Sequence, residues 1–114
     1  IKKGIKLSID SKKNIFSVTK YDFHLSFAIK IIKNSWKSVF KKSPILTGNT
    51  QGQNQKIYFH PTGVINCLYV KILKKNYKSI YYKSLPLVVD RNESIDIDTK
   101  EDLNLVTNFL NKKF

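Results

Sequence analysis

Four of the chain's eight acidic residues fall within one stretch, SIDIDTKEDL at positions 94–103. Asp96 and Asp98 alternate with Ile95 and Ile97, so an extended backbone sends both carboxylates to one face and both isoleucines to the other. Strand rise sets the two acids roughly 6–7 Å apart. Carboxylates so placed can share a hard divalent cation such as Mg2+, which takes oxygen from one or two carboxylates and completes its shell with water and substrate phosphate. The same stretch has a second reading. Thr99 followed three residues on by Asp102 is close to a capping box, and Asp98 and Asp102 both favour the positive end of a helix dipole. Glu101 and Asp102 belong to the helix start in either case, and spacing alone leaves Asp96 and Asp98 between the two readings.

Other chemistry-bearing residues are sparse. His24 and His60 are the only histidines, and neither has a second His or Cys at ligand spacing; both read as structural or solvated. The single cysteine, Cys67, excludes an internal disulfide and a zinc cluster. It sits in an apolar run, reads as a small buried side chain, and suits a reducing, cytoplasmic compartment. The four glycines form neither a G-x-G-x-x-G nor a P-loop pattern, and no Ser-His-Asp arrangement can be argued from spacing.

The formal charge of +13 invites an anionic partner. Arg91 is the only arginine, however, and the lysines are spread along the whole chain. Lysine does not reproduce the bidentate arginine fork that reads phosphates and bases. The surplus therefore reads either as AT-rich coding bias or as a field that attracts anionic substrates. No run approaches the ~18 apolar residues of a membrane span and no signal peptide opens the chain, so no membrane partner is expected. A chain of 114 residues is one domain or part of one. It starts at Ile1 and lacks methionine, which reads as an internal or C-terminal piece of a longer protein.

The elements that must position these residues are mostly strands. Residues 1–11 read as a poor helix, weakened by Gly4. The segments 14–21, 26–32 and 36–40 read as strands, the last two separated by a turn at Asn34–Ser35. Polar residues 43–55 read as a mobile loop. GVINCLYV (63–70) and LPLVVD (85–90) read as buried strands, Pro86 lying near a strand start, and 71–76 as a short helix. SIDID then delivers two carboxylates to a strand end, ahead of a helix with Leu103, Val106 and Leu110 at helical spacing. In open α/β sheets ligands bind at that end of the strands.

Three stretches together resemble one family. SIDIDTKEDL and the amphipathic segment after it resemble the C-terminal signature of the acylneuraminate cytidylyltransferases, the CMP-sialic acid synthetases. QNQKIYFHPTGVINCLYV (53–70) is similar to that family's pattern Q-x-x-P-x-x-[YF]-x-P-N-G-A-I-Y-I. FSVTKYDFHLSFAIKI (16–31) resembles its S-V-x-x-x-x-x-H-P-x-W-A-F-K-I segment. The resemblance implies an α/β fold, the C-terminal portion of a Rossmann-like nucleotide-sugar transferase with an inserted β-hairpin region for dimerisation. On that basis residues 1–114 are a single partial domain. About 20–70 would include the dimerisation and sugar-site region, and 85–114 the metal-site strand and final helix.

The activity so implied couples CTP to a nine-carbon acidic sugar, giving the CMP-sugar and pyrophosphate, with Mg2+ as cofactor and a homodimer as the assembly. Asp96 and Asp98 would be the catalytic metal ligands. Gln53, Thr62, Gly63 and Asn66, with Val64 and Ile65 between them, would line the sugar site. Thr62 stands where the family has Asn, Asn66 where it has Tyr, Gly52 where many members have Arg, and Lys56 and Leu25 where it has Pro. These departures widen the expected substrate from sialic acid to legionaminic- and pseudaminic-type relatives. The family's Gly-rich CTP loop has no counterpart among these residues, so the chain alone is expected to be inactive. The alternative is a small basic nucleic-acid-binding module using Tyr58, Tyr69, Tyr77, Tyr81 and Tyr82 as stacking platforms. That reading gives SIDID no role, and nucleic acid is not the expected partner.

Overall fold

The computed structural model describes residues 1–74 and 79–113. It is a small mixed α/β fold with a three-stranded sheet and a separate two-stranded ribbon. The chain divides into two compact units, Ile1–Thr19 with Pro61–Phe114, and Lys20–His60.

In the larger unit, β1 (Asn14–Lys20) is the central strand, flanked by β4 (Phe59–Cys67) and β5 (Ser84–Val88). Its sequence, NIFSVTK, is rich in the β-branched and aromatic types that fit a pleated surface. β1 and β5 are parallel, with Ile15 opposite Leu85 and Ser17 opposite Leu87. Bonds towards β4 run in reverse order: Asn14 takes the amide of Tyr69 and Ser17 that of Ile65. β4 is therefore antiparallel to β1, and the sheet is mixed. Both faces of β1 are covered, so Ile15 and Val18 form the buried core together with Leu87, and Asn14, Ser17 and Thr19 are buried beside them. Buried polar side chains need partners. The Asn14 amide donates to the Ile80 carbonyl at 3.2 Å and accepts the Tyr69 N–H at 2.9 Å.

The first segment is a better helix than its composition suggests. α1 runs unbroken over Lys2–Ser11. Gly4 is buried, and a Cβ there would lie 3.1 Å from Cys67 Sγ and 3.4 Å from both Ile65 and Leu87. The absent side chain is what lets the helix approach the sheet. Lys12, at φ 55°, ends the helix in a left-handed turn.

The two predicted buried strands exist but are less buried than expected. β4 begins earlier than the apolar run and has no fully buried residue. β5 is an edge strand in which only Leu87 is buried. Edge placement explains how Pro86 is tolerated, since it has no ladder N–H to give. α3 covers Val70–Leu73; Lys75 and Asn76 of the predicted helix over 71–76 lie outside the described residues. α4 spans Lys100–Lys113 and buries none of its described residues, Leu103 and Leu110 included.

In the smaller unit, β2 (Ile29–Ile32) and β3 (Ser35–Ser38) form the antiparallel ribbon, shorter than the predicted strands. Residues 25–27 form a 3-10 turn instead of the start of a strand. The ribbon turns at Lys33–Asn34, one residue earlier than expected, with Lys33 at φ 53°. Pairing sets Ile31 opposite Trp36 on one face and Lys30 opposite Lys37 on the other. The stretch 43–55, expected as a loop, carries two short helical elements. Pro44–Thr47 form α2, with Pro at its first turn and Gly48 at φ 76° closing it. Gly52–Asn54 form a 3-10 turn. Ser43 is fully buried and its hydroxyl donates to the Ser26 carbonyl at 2.9 Å, while Gln55 accepts from Ser26 Oγ and donates to the Asn49 carbonyl at 2.7 Å. Two of these bonds tie the segment back to Ser26, and the third closes it on its own backbone at Asn49.

Among the described residues no helix is long and apolar enough to cross a membrane.

Candidate functional site

The carboxylates come from a connection, not from a strand end. β5 stops at Val88, and Asp90 then caps a 3-10 turn over Arg91–Glu93 by accepting the Asn92 N–H at 2.9 Å. Residues 95–98 follow outside any regular element, with Asp96 and Asp98 exposed and Ile95 half-buried. The strand expected to deliver them is interrupted because the Asp90 cap turns the chain first.

Immediately beyond, the capping reading holds for Thr99 and Asp102. The Asp102 carboxylate accepts the Thr99 backbone N–H at 2.9 Å and the Thr99 hydroxyl at 2.6 Å, while Thr99 Oγ1 lies 3.2 Å from the Asp102 amide. That reciprocal pair satisfies orphan donors at the start of α4. The Thr99 hydroxyl, followed by the Thr99 amide, holds the Asp102 carboxyl below its ordinary value. Asp102 is thus committed to the helix, and Glu101 lies in the first turn. The Asp98 backbone also lies against the Asp102 carboxylate, but the carboxylates of Asp96 and Asp98 take no part in the cap, and neither carboxylate has a hydrogen-bond or ion-pair partner among the described residues. No group of three or more His, Cys, Asp or Glu side chains gathers there among those residues. Two free carboxylates still suit Mg2+, which needs only one or two from the protein.

The expected sugar-site residues divide between the units. Thr62, Gly63 and Asn66 share β4 in the larger unit, and Gln53 belongs to the smaller one. Gly63 has φ 73°, a conformation that favours glycine and here breaks the pleat within the strand. Thr62 Oγ1 lies 2.6 Å from Ser17 Oγ, and Ser17 also accepts the Ile65 N–H at 2.9 Å. Asn66 is exposed and lines an apolar groove of about 740 Å³ between α1 and β4, with Ile5, Ile9 and Val64 on its walls. Gln53 is exposed in its 3-10 turn, its amide 3.5 Å from Gln51 Oε1. The backbone of that turn approaches the ring of His24, which a Cβ on Gly52 would meet at 3.5 Å. The His60 ring packs against Tyr21 at a tilt of 56°, with centroids 4.8 Å apart, in keeping with the structural reading of that histidine. Cys67 is only half-buried.

Ser17 and Asn14 are the polar residues that the sequence reading left without roles. Their signal was a central strand buried on both faces, which alternation of Ile15, Ser17 and Thr19 did not disclose by itself. Of the tyrosines that a nucleic-acid module would use, Tyr81 packs edge-on against Phe16 at 5.0 Å and Tyr82 lies under the Lys83 ammonium at 5.4 Å. Tyr77 lies outside the described residues. In comparisons with known proteins, no family model matches the chain and no curated protein matches it.

Proposed function

We propose that the chain supplies the sugar-binding strand and the metal-binding carboxylates of a cytidylyltransferase. The reaction joins CTP to a nine-carbon acidic sugar of sialic, legionaminic or pseudaminic type, and releases pyrophosphate. The fold assigned to it is the C-terminal portion of a Rossmann-like nucleotide-sugar transferase, working in the cytoplasm as a homodimer. The observation that carries this reading is the pair Asp96 and Asp98. They are exposed, they alternate along one segment, and no cation of a +13 chain pairs with them among the described residues. With Asp102 consumed by the cap and Glu101 within the first turn of α4, these two are the acids of the stretch that lie outside the helix.

Asp96 and Asp98 would hold Mg2+, which when bound offsets negative charge on the phosphates. The sugar's anomeric hydroxyl attacks the α-phosphorus of CTP and pyrophosphate leaves. Thr62, Gly63 and Asn66 on β4 would hold the sugar, and the lysine surplus favours the approach of two anionic substrates. The ribbon supports the dimer: Ile31 and Trp36, paired on one face, are 79% and 50% exposed, and apolar patches of this kind mark association surfaces.

The test is CMP-sugar formation by the product of the complete gene, supplied with CTP, Mg2+ and each of the three sugar types. Sugar-dependent pyrophosphate release is expected, with Asp98→Asn reducing it by about a hundredfold while the circular dichroism spectrum is unchanged. Turnover near wild type in Asp98→Asn overturns the metal assignment, and no product from any of the three sugars overturns the activity.

A further inference from the structure

Ser17 is 1% exposed, and its hydroxyl has two neighbours: the Ile65 amide, which can only donate to it, and Thr62 Oγ1 at 2.6 Å. A serine hydroxyl has one proton to donate and two lone pairs. Were Thr62 the donor of that short bond, the Ser17 proton would be buried with no acceptor, which is costly. The Ser17 proton therefore goes to Thr62. Thr62 Oγ1 also lies within 3.5 Å of the Val64 amide, a second donor aimed at it. Both lone pairs of Thr62 face protein donors, and its own proton is left over. Thr62 is half-exposed, so that proton is open to solvent or to a ligand.

We infer that Ser17 is a positioning residue that turns the Thr62 hydroxyl proton outward, so that Thr62 serves the sugar site as a donor. The inference rests on the reading of β4 as the sugar-binding strand. A donor whose lone pairs are occupied fits an acceptor-only group, and the ionised carboxylate of an acidic sugar is one. A ligand hydroxyl presented to Thr62 as a donor would find no lone pair free. Thr62 thus selects for the charged end of the sugar, and Ser17 sets that preference from beneath the strand.

The experiment is solution NMR on the 114-residue chain, with two independent readouts. Without ligand, a slowly exchanging hydroxyl proton is expected on Ser17, with a cross-peak to the Thr62 β-proton, while the Thr62 hydroxyl exchanges rapidly. A slow proton assigned to Thr62 overturns the inference outright. With N-acetylneuraminate as the probe, the Thr62 γ-methyl and Gly63 amide signals are expected to shift, and its methyl ester, whose carbonyl still accepts but carries no charge, is expected to bind about tenfold more weakly. Ser17→Ala is expected to remove that preference for the free acid, Thr62→Val to weaken the acid by a similar factor, and Thr62→Ser to restore it. Equal binding of acid and ester by the wild-type chain overturns the proposed selectivity. If the slow proton is on Ser17 and neither probe shifts β4, the sugar-site reading fails while the hydroxyl direction stands, so the two failures are distinguishable. Should Ser17→Ala unfold the chain, the half-exposed Thr62 variants decide the selectivity.

Discussion

Replacing Gly4 by alanine sets two opposed effects against each other. In a helix, alanine is favoured over glycine by roughly 0.5–1 kcal/mol. Gly4 lies in the first turn of α1, where the lower half of that range applies. Against it stands the new Cβ, 3.1 Å from Cys67 Sγ and 3.4 Å from a carbon each of Ile65 and Leu87. The nearest contact falls short of ordinary van der Waals separation, and overpacking of this kind costs about 1–3 kcal/mol. Only Cys67 Sγ is closer than ordinary contact, so relief requires that half-buried thiol to give by a few tenths of an ångström where Ile65 and Leu87 already hem in the new methyl. The contact wins: Gly4→Ala is expected to destabilise the fold by about 1 kcal/mol, read as a lower urea midpoint at unchanged slope. In a Cys67→Ala background the closest contact is gone, and the same substitution is expected to be neutral or stabilising. A double-mutant cycle isolates that coupling. If Gly4→Ala stabilises the wild-type chain by the full helix propensity, the packing account of Gly4 is wrong.

Three further outcomes follow from the geometry. Asn14→Ala leaves the Tyr69 amide and the Ile80 carbonyl without their partner, and is expected to cost about 2–3 kcal/mol in urea unfolding. Thr99→Ala removes the reciprocal cap of α4, and is expected to cost about 1 kcal/mol with loss of helical ellipticity. Because the Asp102 carboxyl is held below its ordinary value in the folded chain, its contribution is fully present above the unfolded value. It is lost as the pH falls through the lowered folded one. Helicity of α4 should therefore hold down to about pH 4 and decline below it, and Asp102→Asn should flatten that acid limb; an unchanged limb refutes the assignment.

How much of this could be read from the residues depended on whether the cause was local. The Thr99–Asp102 cap was legible because the bonds join residues three apart in sequence and the residue types are those a helix start requires. The strand at β1 was legible from its β-branched and aromatic content. α1 was misjudged because the fact that decides Gly4, the nearness of Cys67, Ile65 and Leu87, joins residues more than sixty positions apart. The polar segment 43–55 looked unstructured for a related reason. Its order comes from Ser26 reaching Gln55, and Ser43 reaching Ser26, bonds between residues that no periodicity links. Strand burial was overstated in β4 and β5 because an apolar run reports what a strand can bury and not whether something covers it.

The candidate metal pair illustrates the same division. From spacing, four acids in one stretch left two explanations, a helix start and a cation site, competing for the same residues. The structure separates them along the chain. Asp102 bonds Thr99 through both hydroxyl and amide, which accounts for that acid entirely within α4. The dipole of α4 acts within its first turn, and Asp96 lies beyond that turn and outside the cap. A helix start therefore explains the C-terminal half of SIDIDTKEDL, reaches Asp98 through its backbone, and leaves Asp96 unexplained, in a chain where acid is scarce and lysine abundant. Mn2+ as a paramagnetic probe tests what remains: selective broadening of the Ile97 and Thr99 amide signals, abolished in Asp96→Asn and retained in Glu101→Gln, is the expected result. Broadening that instead follows Glu101 would assign the cation to the helix start and remove the reason for the pair.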